Sequence, residues 1–262
     1  MCRCADFRCA DAGMLVNTVL TSAHSPICTF AHLHIRTSTM DLNPIWLTLK
    51  LAVITTALLL IIGLPLAWWL SKGRSVFKVI TEAIITMPLV LPPSVLGFYL
   101  LLAFSPQHGV GRWLAQNFNI QFVFSFQGLV LASIIYSMPF MIGPIKSALQ
   151  QLPASLSQAS YSIGKTKWQT FTKLLLPNIK PSLLTAAVLT FAHTLGEFGV
   201  VLMIGGNIPN VTRVASIAVY DSVEQMDYSA ANTYSLILFS ITFILLVSVF
   251  VFNKYRLKSP LE

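Results

Sequence analysis

The chain has 262 residues, of which 55% are hydrophobic and only 10% charged, and it carries a formal net charge of +8. Soluble domains hold about a quarter of their residues as Asp, Glu, Lys or Arg, so this composition excludes an ordinary soluble enzyme or binding module and points to a membrane protein. The positive charge is accounted for by membrane topology, as argued below, and requires no nucleic acid as partner.

Residues 1–39 differ from everything after them. All four cysteines (Cys2, Cys4, Cys9, Cys28) and three of the five histidines (His24, His32, His34) lie here, without helical periodicity. The Cys2-x-Cys4-x4-Cys9 spacing matches no common structural zinc site. No continuous apolar core ending in a small-residue cleavage site marks a signal peptide. The expectation is a disordered tail or an over-extended start with Met40 as initiator, and no metal site.

Five apolar runs follow, each of about 20 residues or more, the length needed to cross hydrocarbon as a helix: Trp46–Leu70, Val79–Phe104, Phe126–Leu149, Ser182–Gly205 and Thr233–Phe252. The fold class expected is therefore an all-α polytopic bundle with its membrane domain over residues 40–252. Lys50, one turn from the outer end of the first run, is placed to snorkel outward or to help an anion enter a pore. Gly63 and Pro65 permit a bend, and Trp68-Trp69 read as an interfacial aromatic pair. In the second run Glu82 sits at headgroup level, solvated or paired with Lys78. There Met87-Pro88 and Pro92-Pro93 interrupt the helix, which is tolerable only where the freed carbonyls find partners.

The outer segment Ser105–Ser125 contains a short amphipathic piece, Gly111–Phe118, with Trp113, Leu114 and Phe118 apolar. The third run carries Pro139, Gly143 and Pro144 and leads into a polar, basic stretch, Pro153–Pro181. Leu156, Ala159, Ser160 and Ile163 fall on one helical stripe there, and Gly164 breaks it. Trp168, Phe171 and Leu175 make the apolar face of a second short helix, closed by Pro177 and Pro181. Such a helix–Gly–helix hook is suited to plug into a partner. Ala159-x4-Gly164-Lys165-Thr166 satisfies a permissive phosphate-loop pattern, but no strand precedes it and no α/β domain follows, so ATP is expected to be bound by a partner.

The fourth run holds His193 and Glu197, four apart and hence stacked on one helical face, which suggests either a paired buried couple or a relay. Gly196, Gly199, Gly205 and Gly206 allow close backbone approach. The segment Asn207–Ala231 is the longest outer loop and carries Asp221, Glu224 and Asp227, so with Ser105–Ser125 it is the expected docking place for a soluble protein. The fifth run leads into a basic tail, residues 253–262. Lys72, Arg74, Lys78, Lys146, Lys165, Lys167, Lys173, Lys180, Lys254, Arg256 and Lys258 fall on one side, with only Arg112 and Arg213 on the other. The positive-inside rule then puts the hook and C-terminus in the cytoplasm and the start of the first span outside.

Gln158-Ala159-Ser160, three residues, Gly164, nine residues, then Leu174-x-Leu176-Pro177 resembles the EAA loop of ABC importer permeases, usually Glu-Ala-Ala-x3-Gly-x9-Ile-x-Leu-Pro. The spacing matches in full. Gln158 replaces the usual Glu and Ser160 the usual Ala, and the first change removes any salt bridge the Glu would make. The run Phe191–Asn210, with Gly196-Glu197-Phe198-Gly199 and Gly205-Gly206-Asn207-Ile208-Pro209, is similar to the molybdate permease branch, and the resemblance extends from about Asp41 to the tail.

The resemblance implies a type I, MetI-like fold and a non-enzymatic pore subunit in the cytoplasmic (inner) membrane. Its implied partners are two copies of an ATPase that binds ATP and Mg, an extracytoplasmic molybdate-binding protein, a second copy of itself, and lipid. Gln158, Ala159, Ser160, Gly164, Trp168, Phe171, Leu174, Leu176 and Pro177 would couple to the ATPase, and Gly196, Glu197, Phe198 and Gly199 would shape the path. Sulfate, tungstate or another oxyanion is the alternative cargo. An intramembrane enzyme is disfavoured because no convergent titratable set appears, and a secondary transporter because no internal repeat is visible.

Overall fold

A computed structural model describes residues 41–257 apart from Arg74, His108, Asn119 and Ile120. The expectations for residues 1–39 and for Lys258 and the last residues of the tail lie outside the described residues. The fold is all-α, as expected. Three helices are each long and apolar enough to cross a membrane: α1 (Asn43–Ser71), α5 (Phe126–Gln151) and the stretch Tyr228–Val251 of α12 (Tyr228–Leu257). They match the first, third and fifth runs to within a few residues at most ends. The prolines and glycines of α1 and α5 (Gly63, Pro65, Pro139, Gly143, Pro144) are absorbed without ending either helix.

The second and fourth runs are not straight spans. The second consists of α2 (Val76–Val90) and α3 (Pro93–Phe104), bent by 116° at Leu91-Pro92. Met87-Pro88 does not break the chain, since Pro88 lies inside α2. Pro92 and Pro93 do, because a proline opening a helix leaves no amide to bond backward, and the residue before it is driven to extended geometry; Leu91 has ψ 139°.

The fourth run ends early. Helix α9 (Lys180–Gly196) stops, Glu197 and Phe198 leave helical geometry, and α10 (Gly199–Gly205) follows. Counting each bent pair as one span, with Lys167–Asn178 and Lys180–Gly196 as the second such pair (76°), gives up to five.

The core has two apolar clusters. One gathers Leu59, Ala67 and Leu70 of α1, Met141, Ile142 and Ile145 of α5, Ala186 of α9, and Phe171 and Ile179 from the hook. The other gathers Leu51, Leu129, Ala132, Val200, Val201, Ile204, Val214 and Ile217. Helices α1, α5 and α9 pack mutually, α3 lies on α10, and α2 lies on α5.

Glu82 pairs with Lys146 of α5, not with Lys78. Lys78 instead donates to the carbonyl of Lys72 and lies over the Trp69 ring.

The long loop expected over Asn207–Ala231 contains a helix, α11 (Ala215–Glu224), packed on α12 and α1. Its buried residues Ala215, Ile217, Ala218 and Ser222 form one face. The loop before it is tied by Asp221, which accepts two hydrogen bonds from Asn207 (3.0 and 2.9 Å) and pairs with Arg213 at 2.9 Å. The amphipathic piece in the earlier loop is α4 (Gly109–Phe118).

Gly97 of α3 is where the α3–α10 crossing is tightest. A Cβ there would lie 2.8 Å from Met203 Cβ and 3.1 Å from Val200 Cα. Gly97→Val is expected to lower stability by about 1–3 kcal/mol, as overpacking does. Gly143→Ala, where a Cβ meets no atom within 4 Å, is expected to be neutral or stabilising by up to about 1 kcal/mol from helix propensity. Thermal unfolding of the two purified variants in one detergent tests the contrast.

Candidate functional site

Two groups of residues stand out, one inside the bundle and one at its hook. The first surrounds the break between α9 and α10. Gly196, Glu197, Phe198 and Gly199 all line one cavity of about 610 Å³, together with Pro93 and Ser94 at the start of α3, Tyr136 of α5, and Ala192 and His193 of α9. The four path candidates all line it, Pro93 belongs to the proline pair already expected to interrupt its span, and Ser94 and Tyr136 are additions that sequence reasoning did not supply. The proline pair was the available signal, since an interrupted span tends to face a cavity.

The break is fixed on both sides. Ser216 of α11 donates to the Glu197 carbonyl at 2.6 Å, and the Glu197 amide closes the last turn of α9 on Thr194. The Thr194 hydroxyl bonds the Thr190 carbonyl at 3.0 Å and lies 3.2 Å from the Ser137 hydroxyl of α5. Phe198 is tilted on Tyr220, ring centres 5.0 Å apart. At Gly199 a Cβ would sit 2.8 Å from Pro93 Cβ, so the starts of α10 and α3 meet through the absence of a side chain. Gly196 is different: nothing lies within 4 Å of its would-be Cβ, and it serves no close packing.

Glu197 is 4% exposed. Both carboxyl oxygens are covered, and the fully buried Ser133 hydroxyl is the polar group within reach of them. The couple expected between His193 and Glu197 is not formed. The helix ends at Gly196, so the four-residue spacing no longer stacks the two side chains. His193 stacks instead on Phe140 (3.9 Å, 28°) and lies 5.0 Å from the Tyr136 ring, with Nε2 unpaired. No group of three or more His, Cys, Asp or Glu able to hold a metal occurs among the described residues.

The second group is the hook. Helix α6 (Ala154–Ser162) ends at Gly164, whose φ of 78° is left-handed. A Cβ there would meet no atom, so glycine is needed for the backbone angle alone. Thr166 then opens α7 (Lys167–Thr170) with a capping box: its hydroxyl accepts from the Gln169 amide, and the Gln169 side chain accepts from the Thr166 amide. Ala159 to Thr166 therefore forms a helix end and tight turn, not the strand–loop–helix of a phosphate loop.

A π-helical turn, Phe171–Leu175, and α8 (Leu176–Asn178) complete the hook. Buried Ser160 and Thr170 clamp the two halves, hydroxyls 2.9 Å apart. Ser160, which departs from the usual Ala, thus has an internal role. Gln158, the other departure, is exposed, as are Ala159 and Pro177, while Leu174 and Leu176 are half-buried.

The hook is mounted on the end of α1 by aromatic rings. Phe171, 2% exposed, packs on Trp68 at 4.5 Å, and Trp168 meets Trp68 edge-on at 6.3 Å while staying 61% exposed. Lys72 sits 3.5 Å over the Trp68 ring. Burial, and then Lys167 and Lys78 nearby, hold its ammonium below the ordinary lysine range. Of the hook's aromatic pair, Phe171 belongs to the chain's own core and Trp168 presents a face outward. On the α6 side Ile163, expected on the packed stripe, is 74% exposed.

These features define an integral membrane permease whose helical path is interrupted at a cavity and which carries a structured hook at one end. Residues 43–257 match the family model of the binding-protein-dependent transport system inner membrane component, and the chain belongs to that family. It is 42% identical over 219 residues to the molybdenum transport system permease protein ModB of Azotobacter vinelandii, covering 82% of this chain and 96% of that one. It is 33% identical over 240 residues to a probable sulfate transport system permease protein of Chlorella vulgaris, covering 91% and 85%.

Two solved folds are similar. One is a bacterial ABC transporter involved in the import of alginate (TM-score 0.69, 17% identity, 84% of this chain and 80% of that one). The other is the MetNI methionine ABC transporter (TM-score 0.62, 19% identity, 81% and 94%). The chain is thus an ABC importer permease of MetI-like fold, and the relatives named above are permease proteins.

Because Phe171 fills a core position and Trp168 does not, their truncations are expected to separate. Phe171→Ala should destabilise the purified chain by about 3–5 kcal/mol, whereas Trp168→Ala should change stability by less than about 1 kcal/mol, as exposed positions do. Thermal unfolding followed by tryptophan fluorescence checks the first, and circular dichroism the second.

Proposed function

We propose that this chain is the permease subunit of an importer for molybdate, a tetrahedral oxyanion. The observation that carries the reading is the 42% identity over 96% of the length of a molybdenum permease. Sulfate is the second reading, supported by 33% identity to a sulfate permease over 91% of this chain. The chain performs no chemistry. ATP and Mg are bound by a separate ATPase, two copies of which meet the hooks of two copies of this chain, since one hook serves one of the two clefts of a two-fold ATPase dimer. An extracytoplasmic binding protein delivers the anion.

The hook faces the cytoplasm, a reading supported by Lys72, Lys78, Lys165, Lys167 and Lys173 at that end of the bundle. In coupling, Gly164 sets the turn, the Trp168 and Ile163 faces meet the partner, and Phe171 transmits the contact to Trp68 and hence to α1. Because Gln158 is uncharged and exposed, it meets the ATPase through hydrogen bonds and not an ion pair.

The test uses cells in which this chain, with its own ATPase and binding protein, is the sole route for oxyanions. Labelled molybdate should accumulate and unlabelled sulfate compete weakly; strong sulfate uptake without molybdate uptake selects the second reading, and movement of neither rejects both. In the same cells Gly164→Val should keep normal membrane abundance yet lose ATPase co-purification or uptake at least about tenfold, as a disrupted interface centre does. A cysteine at Gln169 should be labelled only from the cytoplasm and one at Asn210 only from outside.

A further inference from the structure

Where α1 ends, three lysines from three elements come together. Lys72 caps the C-terminus of α1, Lys78 lies in the first turn of α2, and Lys167 opens α7 of the hook. Lys72 Nζ sits 3.5 Å over the Trp68 ring and Lys78 Nζ 5.3 Å over the Trp69 ring, while the Lys78 ammonium also donates to the Lys72 carbonyl. Lys167 and Lys78 are near enough to Lys72 to add their repulsion to burial in disfavouring its charged form. Among the described residues none of the three forms an ion pair: Glu82 of α2 is held by Lys146, and Asp221 by Arg213. Rings and a carbonyl orient ammonium groups but do not cancel their charge.

The cluster has an apolar neighbour. Trp69 meets Phe77 edge-on at 6.0 Å, and from Phe77 a stripe runs along α2 through Ile80, Ile84 and Met87 at spacings of three and four, every member more than half exposed. A free anion would use the charges and ignore the stripe, whereas an amphiphile uses both. We propose that Lys72, Lys78 and Lys167 bind the phosphate of an anionic phospholipid whose acyl chain lies along Phe77, Ile80, Ile84 and Met87. Trp68 and Trp69 mark the level of the headgroups, and lysines at that level favour anionic over neutral lipid. The lipid phosphate accepts charge-assisted hydrogen bonds from the α1–α2 junction and from the hook together, so it ties the hook to the bundle beside the Trp68–Phe171 contact. The inference holds whichever anion the chain carries.

The full chain, purified in a neutral detergent, is titrated with dioleoylphosphatidylglycerol, dioleoylphosphatidylcholine or inorganic phosphate, and native mass spectrometry counts what is bound. Phosphatidylglycerol should saturate a site at least about tenfold tighter than phosphatidylcholine, and an excess of inorganic phosphate should not displace it. Lys72→Gln, Lys78→Gln and Lys167→Gln together should weaken phosphatidylglycerol binding on the order of a hundredfold, about fivefold for each lysine. Lys165→Gln, Lys173→Gln and Lys180→Gln together remove the same charge from exposed positions of the hook and the start of α9, and that variant should bind the lipid as the wild type does.

Four results overturn the proposal. The two lipids may bind alike, which removes the role of the charge. Inorganic phosphate may displace the lipid, which assigns the cluster to a free anion. The second set of substitutions may cost as much as the first, which leaves only a diffuse positive surface. The first set may cost nothing, which empties the site. If the first set prevents the chain from accumulating, Lys167→Gln alone decides, since that residue is exposed on the hook: binding about fivefold weaker supports the site, and unchanged binding overturns it.

Discussion

Hydrocarbon supplies no hydrogen bonds, so a chain that leaves helical geometry within a membrane must find every partner inside the protein. That constraint organises this molecule. There are two departures inside its apolar runs, at Leu91-Pro92 and at Glu197-Phe198, and they are brought to the same place. Pro93 and Ser94, just after the first, and Gly199, just after the second, are in contact and share one cavity. The freed groups are answered locally: the Glu197 carbonyl by Ser216, and the last turn of α9 through Thr194 and Thr190. A second departure adjoining the first lets the irregular backbone of both face one cavity. The alternative, two separate breaks in two separate helices, would expose orphaned amides twice.

The hook obeys a different economy. It is short, polar and unable to bury itself, since none of its helices exceeds nine residues and isolated helices of that length are marginal in water. It is held by what it borrows from α1. Phe171 is buried within the main core, and Trp68 serves both as the end of a spanning helix and as the floor on which the hook stands. A π-helical turn, a conformation common at functional sites, lies at this junction. The exposed Trp168 is thus joined to α1 through the rings of Trp68 and Phe171, and the Ser160–Thr170 hydroxyl contact joins the two halves of the hook.

Most of this was legible in the residues. Length and hydrophobicity were enough for α1, α5 and α12, and Gly164 is legible as the break that follows the stripe of Leu156, Ala159, Ser160 and Ile163. What failed did so for identifiable reasons. The expected His193–Glu197 couple assumed that the helix ran on, yet Gly196 and Gly199 bracket the place where it stops; helical spacing has no meaning across a terminus. Glu82 was assigned to Lys78 by nearness in sequence, whereas its partner Lys146 is 64 residues away on α5, a relation only the packed bundle creates. Helix α11 was missed because ten residues among polar neighbours resemble a loop, although Ala215, Ala218 and Ser222 already repeat at helical spacing. Ser94 and Tyr136 could not be added to the cavity from sequence, as they come from two other helices, whereas Pro92-Pro93 already marked an interrupted span.

The charge distribution around the cavity limits what it could hold by charge. Two unit charges 4 Å apart interact by about 4 kcal/mol at an effective dielectric of 20, and a dianion beside an ionised carboxylate would meet about twice that repulsion. A lysine in place of the acid would reverse the sign and attract an anion with similar strength. The described residues place no ion pair at the cavity, and the cations of α5 and of the loop before α11 are bound to Glu82 and Asp221. Ser94 and Tyr136, which line the cavity, can hydrogen-bond without carrying a charge, and the break that they face is held by Ser216 on the Glu197 carbonyl.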